Sequence, residues 1–195
     1  MKLSLKKIYW KSALRFIFPR ECLHCHESLQ DVLKIFCPIC QSIFDFLSSE
    51  EKEIVAVFEN LGPAKSLSAQ FETTLDDQLA ELIVSCLLFR HHRLSLEFPD
   101  VITFIPSIDS KKNASKYLAK RFAQRYCIPC IGIFEMHVDR EVYNENGLLY
   151  TMQIKKDLSI GSLGIICNTI TQDALDCLKA AKTSGAKQVF LLGFC

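Results

Sequence analysis

The chain has 195 residues, 49% of them hydrophobic and 23% charged, with ten cysteines and a net charge of +1. Such a balance excludes a disordered chain, and a charge so near zero excludes a global field that steers the protein to nucleic acid. One compact domain with a small appendage is the expected division at this length.

Charge is unevenly spread. Residues 1–20 carry Lys2, Lys6, Lys7, Lys11, Arg15 and Arg20 and no acid, interleaved with Leu3, Leu5, Ile8, Trp10, Leu14 and Ile17. The cations interrupt every apolar stretch, so the segment lacks the h-region of a signal peptide. The longest apolar run, LIVSCLLF at 82–89, falls well short of the ~20 residues a membrane span needs. A cytoplasmic protein with reduced thiols and no transmembrane segment is expected. Residues 1–20 then read in two ways. They form a basic amphipathic helix that meets a membrane surface or phosphates, or a helix that packs on its neighbour with its lysines solvated. Pro19, just before the first cysteine pair, favours the second.

CLHCHESLQDVLKIFCPIC at 22–40 places Cys22/Cys25 and Cys37/Cys40 in two CxxC pairs. In a reducing compartment this pattern points to metal rather than disulfide. Zinc takes four ligands in a tetrahedron, and each pair presents two thiolates to one ion. A module of this size cannot bury enough apolar surface to hold itself together, whereas structural zinc supplies on the order of 10–16 kcal/mol of apparent binding energy. Leu23, Leu33, Phe36 and Ile39 give the module an apolar face. His24 and His26 are alternative ligands, though each lies beside a cysteine and reads as solvent-facing. Four thiolates leave no open position, so the expected zinc is structural. The appendage is drawn as residues 1–43.

Beyond it, FDFLSSEEKE (44–53) reads as a polar linker, and an α/β domain is drawn over 54–195. EIVAVF (53–58) predicts a strand and LGPAKS (61–66) a turn. Thr74 with Asp77 predicts a helix start. Leu79, Leu82, Ile83, Cys86 and Leu87 predict an amphipathic helix that ends in Arg90, His91, His92 and Arg93, cations suited to its C-terminal dipole. VITFI (101–105) predicts a strand stopped by Pro106, and Leu118, Phe122 and Tyr126 a helix. IGIF (131–134) and GII (164–166) predict strands. Ala174, Leu175, Leu178 and Ala181 predict a helix closed by Gly185, and VFLLGF (189–194) a last strand. Strands alternating with helices imply a parallel sheet with both faces covered. Cys127 and Cys130 follow a helix C-terminus, which favours buried structural thiols over a redox pair. Lys111 and Lys112 read as solvated. Asp139, Glu141 and Glu145 have no histidine at ligand spacing.

The order of basic segment, FPREC (18–22), double CxxC and α/β domain resembles the ComF family of bacterial competence proteins, in which a zinc finger is joined to a phosphoribosyltransferase-type domain. IFPRECLHCHESL…FCPIC is similar to the family's opening. DVITFIPS (100–107) resembles its Asp-x-x-x-x-Pro-x-Pro strand end with one of the two prolines. KKNASKYLAKRFAQ (111–124) resembles the following loop and helix, with Asn113 kept and the Arg-Gly lost. LGIICNTITQDALDCLKAAKTSGAKQVFLLGF (163–194) resembles its last strand, loop, helix and strand.

The resemblance implies a phosphoribosyltransferase-like parallel sheet with flanking helices, and a loop for phosphoribosyl diphosphate (PRPP). That loop normally has two acids at a strand end, for the ribose hydroxyls, then Thr-Thr-Gly-x-Thr around the 5′-phosphate. In this chain the acid positions are Cys167 and Asn168. The loop positions are Thr171, Gln172, Asp173, Ala174 and Leu175, of which the first threonine alone matches. Asp173 sets a carboxylate where a phosphate would sit, and like charges ~4 Å apart repel by roughly 4 kcal/mol at an effective dielectric near 20. PRPP and magnesium are therefore not expected as ligands, and the expected domain is degenerate and catalytically inactive. The resemblance further implies a role in uptake or handling of transforming DNA, with single-stranded DNA and competence proteins such as a helicase as partners. The basic side chains of 1–20 are the nucleic-acid contact on that view. The alternatives are an active phosphoribosyltransferase with non-standard PRPP contacts, and a zinc-stapled interaction module with no nucleic-acid role.

Overall fold

The computed structural model describes residues 21–29, 34–48, 52–107, 112–144, 147–154 and 161–195. The segment 1–20, Leu33, Lys111 and Glu145 lie outside the described residues, as do the side chains of Asp139 and Glu141. No helix among the described residues is long and apolar enough to cross a membrane.

The elements in chain order are α1 (Pro38–Ser42), β1 (Ile54–Ala56), α2 (Gly62–Thr74), α3 (Asp77–Arg93), β2 (Val101–Phe104), α4 (Ala114–Tyr126), β3 (Phe134–Asn144), β4 (Gly147–Ile154), β5 (Ser162–Cys167), α5 (Gln172–Thr183) and β6 (Gln188–Gly193). Four strands form a wholly parallel sheet in the order β1-β6-β5-β2. Cys130 adds a parallel bridge to Ile102 outside β2. Strands β3 and β4 form a separate antiparallel hairpin.

Side chains on successive strand residues point to opposite faces, and the core divides accordingly. Ile102, Ile166 and Leu192 pack with Leu67 and Phe71 of α2, Ile83 and Leu87 of α3, and Leu118 and Phe122 of α4. Ile165, Leu191 and Cys167 face the other way, onto Ala174 and Leu178 of α5 and onto Phe134, Met152 and Ile154 of the hairpin. The apolar strands at 164–166 and 189–194 thus belong to the two central strands, β5 and β6, of a sheet covered on both sides. The fold is a mixed α/β domain with a parallel sheet, flanking helices and an N-terminal four-cysteine cluster.

Five readings need correction. LGPAKS is no turn but the first part of α2, with Pro63 in the opening turn and Ala64, Leu67, Ser68 and Phe71 buried at i, i+3, i+4 and i+7. Proline reads as a breaker, yet it is well suited to a first helical turn, where its missing N–H is not needed. Helix α3 is capped by Asp76 rather than Thr74: its Oδ1 accepts from the N–H groups of Gln78 (2.8 Å) and Leu79 (3.0 Å). Phe44 and Phe46 are not polar linker. Phe44 stacks edge-on between Phe36 and Phe58, and Phe46 lies against Phe58 and Phe89. IGIF contributes Phe134 alone to β3, which runs on through the stretch read as irregular. Lastly, Cys127 is exposed in a left-handed C-cap, and Cys130 is half-buried with its thiol pushed up by that burial.

His91 also departs from its expected role. It is 1% exposed, ringed by Phe98, Phe122, Tyr126 and Phe190. Neither ring nitrogen closes a hydrogen bond among the described residues. His92 behaves as a surface residue and pairs its Nε2 with the Tyr126 hydroxyl at 2.7 Å.

Candidate metal centre and strand-end loop

The first CxxC turn closes on itself: Cys22 N–H donates to the Glu27 carbonyl, and His26 N–H to the Cys22 carbonyl. His26 takes a positive φ of 61° in this turn. The second pair is carried by α1, where Cys37 is the N-cap and Pro38 opens the helix. Backbone N–H groups point at sulfur, among them that of Cys37 at Cys22 Sγ and that of Cys40 at Cys37 Sγ, each at 3.4 Å. Such donors favour the thiolate form.

The Sγ atoms of Cys22, Cys25, Cys37 and Cys40 all lie within 4.8 Å of one another. Cys25 and Cys37 are 3.6 Å apart. A sulfur tetrahedron around an ion at 2.3 Å has edges of about 3.8 Å, whereas a disulfide is about 2.05 Å long. All ten cysteines are unbridged. Three of the four are buried and Cys25 is exposed. Burial opposes ionisation of Cys22, but the N–H groups of Cys25, Cys37 and His24 outweigh it and bring the thiol down to about 6. Burial, and then the neighbouring thiols, push Cys40 up. Thiols crowded this closely cannot all ionise together without a cation among them. The donor set fits a thiophilic metal ion, and these four cysteines could hold one. Neither neighbouring histidine joins them: His26 faces Glu21 at 3.6 Å, and His24 turns away to Ser66.

The second place of interest is fixed by topology. Strand β2 leads outward to the Cys130 edge through α4 on one face, and β5 leads inward to β6 through α5 on the other. The chain directions part between β2 and β5, and ligand sites in open α/β sheets lie beyond the carboxyl ends of strands at such a point. On the β2 side, Asn113 donates from Nδ2 to the Ile105 carbonyl (2.9 Å) and caps α4 by accepting from Lys116 N–H (2.7 Å). On the β5 side lie Cys167 to Leu175.

There Cys167 is buried, and its thiol is pushed above the ordinary cysteine range, first by burial and then by Cys177 and Cys195. Asn168 is 2% exposed, and its Nδ2 reaches the Ser68 carbonyl (3.2 Å), Ser68 Oγ (2.7 Å) and Glu72 Oε1 (2.9 Å). Thr169 Oγ1 meets Ser68 Oγ at 3.0 Å. Ile170 N–H donates to the Cys195 carbonyl at 2.7 Å, and its side chain lies over Gly193, where any Cβ would fall 2.4 Å from Ile170 Cγ1. Thr171 is the N-cap of α5 without a side-chain cap bond, Asp173 sits in the first turn, and Gln172 Nε2 donates to Asp176 at 3.0 Å. Ala174 is buried in the α5 core.

The sequence reading brought the four cysteines together and placed 167–175 at a strand end. It read His24 as solvent-facing, where the ring hydrogen-bonds to Ser66, and it missed Ser66, Ser68 and Glu72. The α2 stripe carries all three, and the mistaken turn at 61–66 hid it.

No protein-family model matches the chain, and no curated protein matches it. Among solved structures it is similar to a purine phosphoribosyltransferase from Pyrococcus horikoshii Ot3, with 17% identity and a TM-score of 0.38 over 60% of this chain and 72% of that one.

Proposed function

We propose that this chain is a ComF-like protein: a zinc-stapled module on a phosphoribosyltransferase-like domain that handles single-stranded transforming DNA without PRPP chemistry. The role in competence, and a helicase among its partners, rest on the sequence resemblance. The absence of PRPP chemistry is carried by one observation, the engagement of Asn168. At a position where the family uses an acid for ribose, this amide is committed to Ser68 and Glu72 on α2. It is the Nδ2 that makes these bonds; the Oδ1 has no partner among the described residues, but it is buried at a residue 2% exposed, where a ribose hydroxyl does not reach it without moving α2. The Ile170 side chain over Gly193 supports the same reading, since it fills space at the turn.

Zinc suits four thiolates at this spacing and would staple 22–40 without taking part in chemistry, because a fully cysteine-ligated ion has no open position. Nucleic-acid contact then falls to Lys2, Lys6, Lys7, Lys11, Arg15 and Arg20, a stripe that neutralises phosphates and reads no base edges.

Anisotropy titration of the full chain with labelled single-stranded DNA tests the proposal. Weak, sequence-insensitive binding that weakens steeply with salt is expected. Absence of binding at low salt would leave a zinc-stapled interaction module. Release of diphosphate from PRPP in the presence of a nucleobase would identify an active phosphoribosyltransferase with non-standard contacts.

A further inference from the structure

The aromatic box around His91 has one wall that is held less firmly than the rest. Phe122 and Tyr126 belong to α4 and Phe190 to the central strand β6, with ring centroids 5.9, 6.0 and 5.8 Å from that of His91. The remaining wall is Phe98, 4.9 Å from His91 and 4.3 Å from Tyr126 between centroids. It comes from the connection 94–98 between α3 and β2, and it is 49% exposed. The connection turns at Ser95 with a positive φ of 49°, a conformation uncommon for any residue but glycine. Its bonds to α3 run through the two histidines: Leu96 N–H donates to the His91 carbonyl at 3.2 Å, and Ser95 N–H to the His92 carbonyl at 3.0 Å. Pro99, at its far end, is buried.

We propose that residues 94–98 are an acid-released strap, closed over His91 while its ring is neutral and freed when the ring takes a proton. A neutral imidazole suits an apolar box. Its nitrogens close no hydrogen bond among the described residues, so an imidazolium there is a charge taken out of water without a partner. Attraction of a cation to aromatic faces offsets only part of that cost. The groups around the ring do not supply the rest. Its own helix brings the cations Arg90, His92 and Arg93. Helix α4 brings the Tyr126 phenol, already bonded to His92, and β6 brings Phe190, which carries no charge. The strap brings the backbone of Glu97, which favours the protonated ring but is outweighed by burial. Relief therefore comes from opening, and the wall that yields is the one outside helix and sheet. Ser95, Leu96 and Glu97 also line a hollow of about 680 Å³, as does Phe190. A displaced strap lets water reach the ring from that hollow. The inference is independent of any binding to DNA and of the metal centre.

Amide hydrogen exchange of the full chain from neutral to mildly acidic pH, corrected for the intrinsic rate, tests the strap. Closure should be complete above the ordinary histidine value near ~6.5. Below it, protection of Ser95 and Leu96 should fall by up to about tenfold per pH unit, until the lowered pKa of the closed form is passed. The central amides of β5 and β6 should keep their protection. His91→Phe should make the strap's protection independent of pH, whereas His92→Gln, at the surface histidine, should leave the fall in place. In the unaltered protein, the His91 ring followed by NMR should titrate with the midpoint at which the strap opens. A flat response in the unaltered protein would overturn the proposal, as would loss of protection in strap and sheet together. So would a fall that survives His91→Phe or disappears in His92→Gln, or a His91 titration whose midpoint differs from that of the opening.

Discussion

His24, inside the first CxxC turn, is hydrogen-bonded through Nδ1 to Ser66 Oγ on α2 at 2.9 Å. Ser68 and Glu72, further along α2, hold Asn168 at the end of β5. One helix thus braces the cysteine module at one place and the strand-end loop at another. Ser66→Ala should cost about 0.5–1.5 kcal/mol and leave metal content unchanged, because His24 is not a ligand. Urea melts paired with metal analysis check both halves of this expectation.

The metal centre makes a separate prediction. Freshly prepared protein should hold one zinc per chain. Cys22→Ser should lose it and loosen residues 22–40, since apparent zinc binding of roughly 10–16 kcal/mol is folding energy for so small a module. The α/β domain, with its own two-sided core, should stay folded. Metal analysis and hydrogen exchange resolve the two parts. Native protein that contains no metal would refute the assignment.

Placing an acid at position 168 should harm this chain. In Asn168→Asp the new carboxylate faces Glu72 Oε1, where Nδ2 now donates at 2.9 Å. A lost buried donor costs about 1–3 kcal/mol, and like-charge repulsion adds to it. Glu72→Gln in the same chain should recover much of the loss, because an amide can donate to the new acid. Residues in one network couple in this way, and a double-mutant cycle by urea denaturation measures the coupling.

Much of this was legible beforehand. The four cysteines sit where their spacing predicts, and strands such as VITFI and VFLLGF show themselves as apolar runs because both sheet faces are covered. Three things were hidden. Pro63 masked α2 by resembling a break. Phe44 and Phe46 lie among serines and acids, and their burial depends on Phe36 and Phe58, which a local window does not connect. Asn168 reads as a degraded acid in the sequence. Its partners come from a helix about a hundred residues earlier, and no spacing rule reaches that far.

His91 gives a pH dependence. Burial lowers its pKa; the Glu97 backbone opposes this in part, and the neighbouring His92 adds to the lowering. The unfolded chain therefore takes up the proton first as pH falls. Stability from neutral His91 is fully present above the ordinary histidine value near ~6.5. It is lost as pH drops through that value toward the lowered folded pKa. His91→Phe keeps a ring in the aromatic box and removes the titration. Its urea midpoint should change less than the parent's between neutral and mildly acidic pH.

For DNA, each phosphate contact should contribute roughly −0.7 to the slope of log K against log salt on single strands. Removing residues 1–20 should flatten that slope, and Asp173→Gly should leave it unchanged. Anisotropy titrations across a salt series measure both.

Calorimetry of the zinc-loaded protein with PRPP and magnesium is the most direct test of the account, because the proposal holds that the strand-end loop does not take this ligand. The expected result is no binding tighter than about millimolar, weaker than roughly −4 kcal/mol. Micromolar binding at the Cys167–Leu175 loop, abolished by a bulky substitution at Thr171, would contradict it.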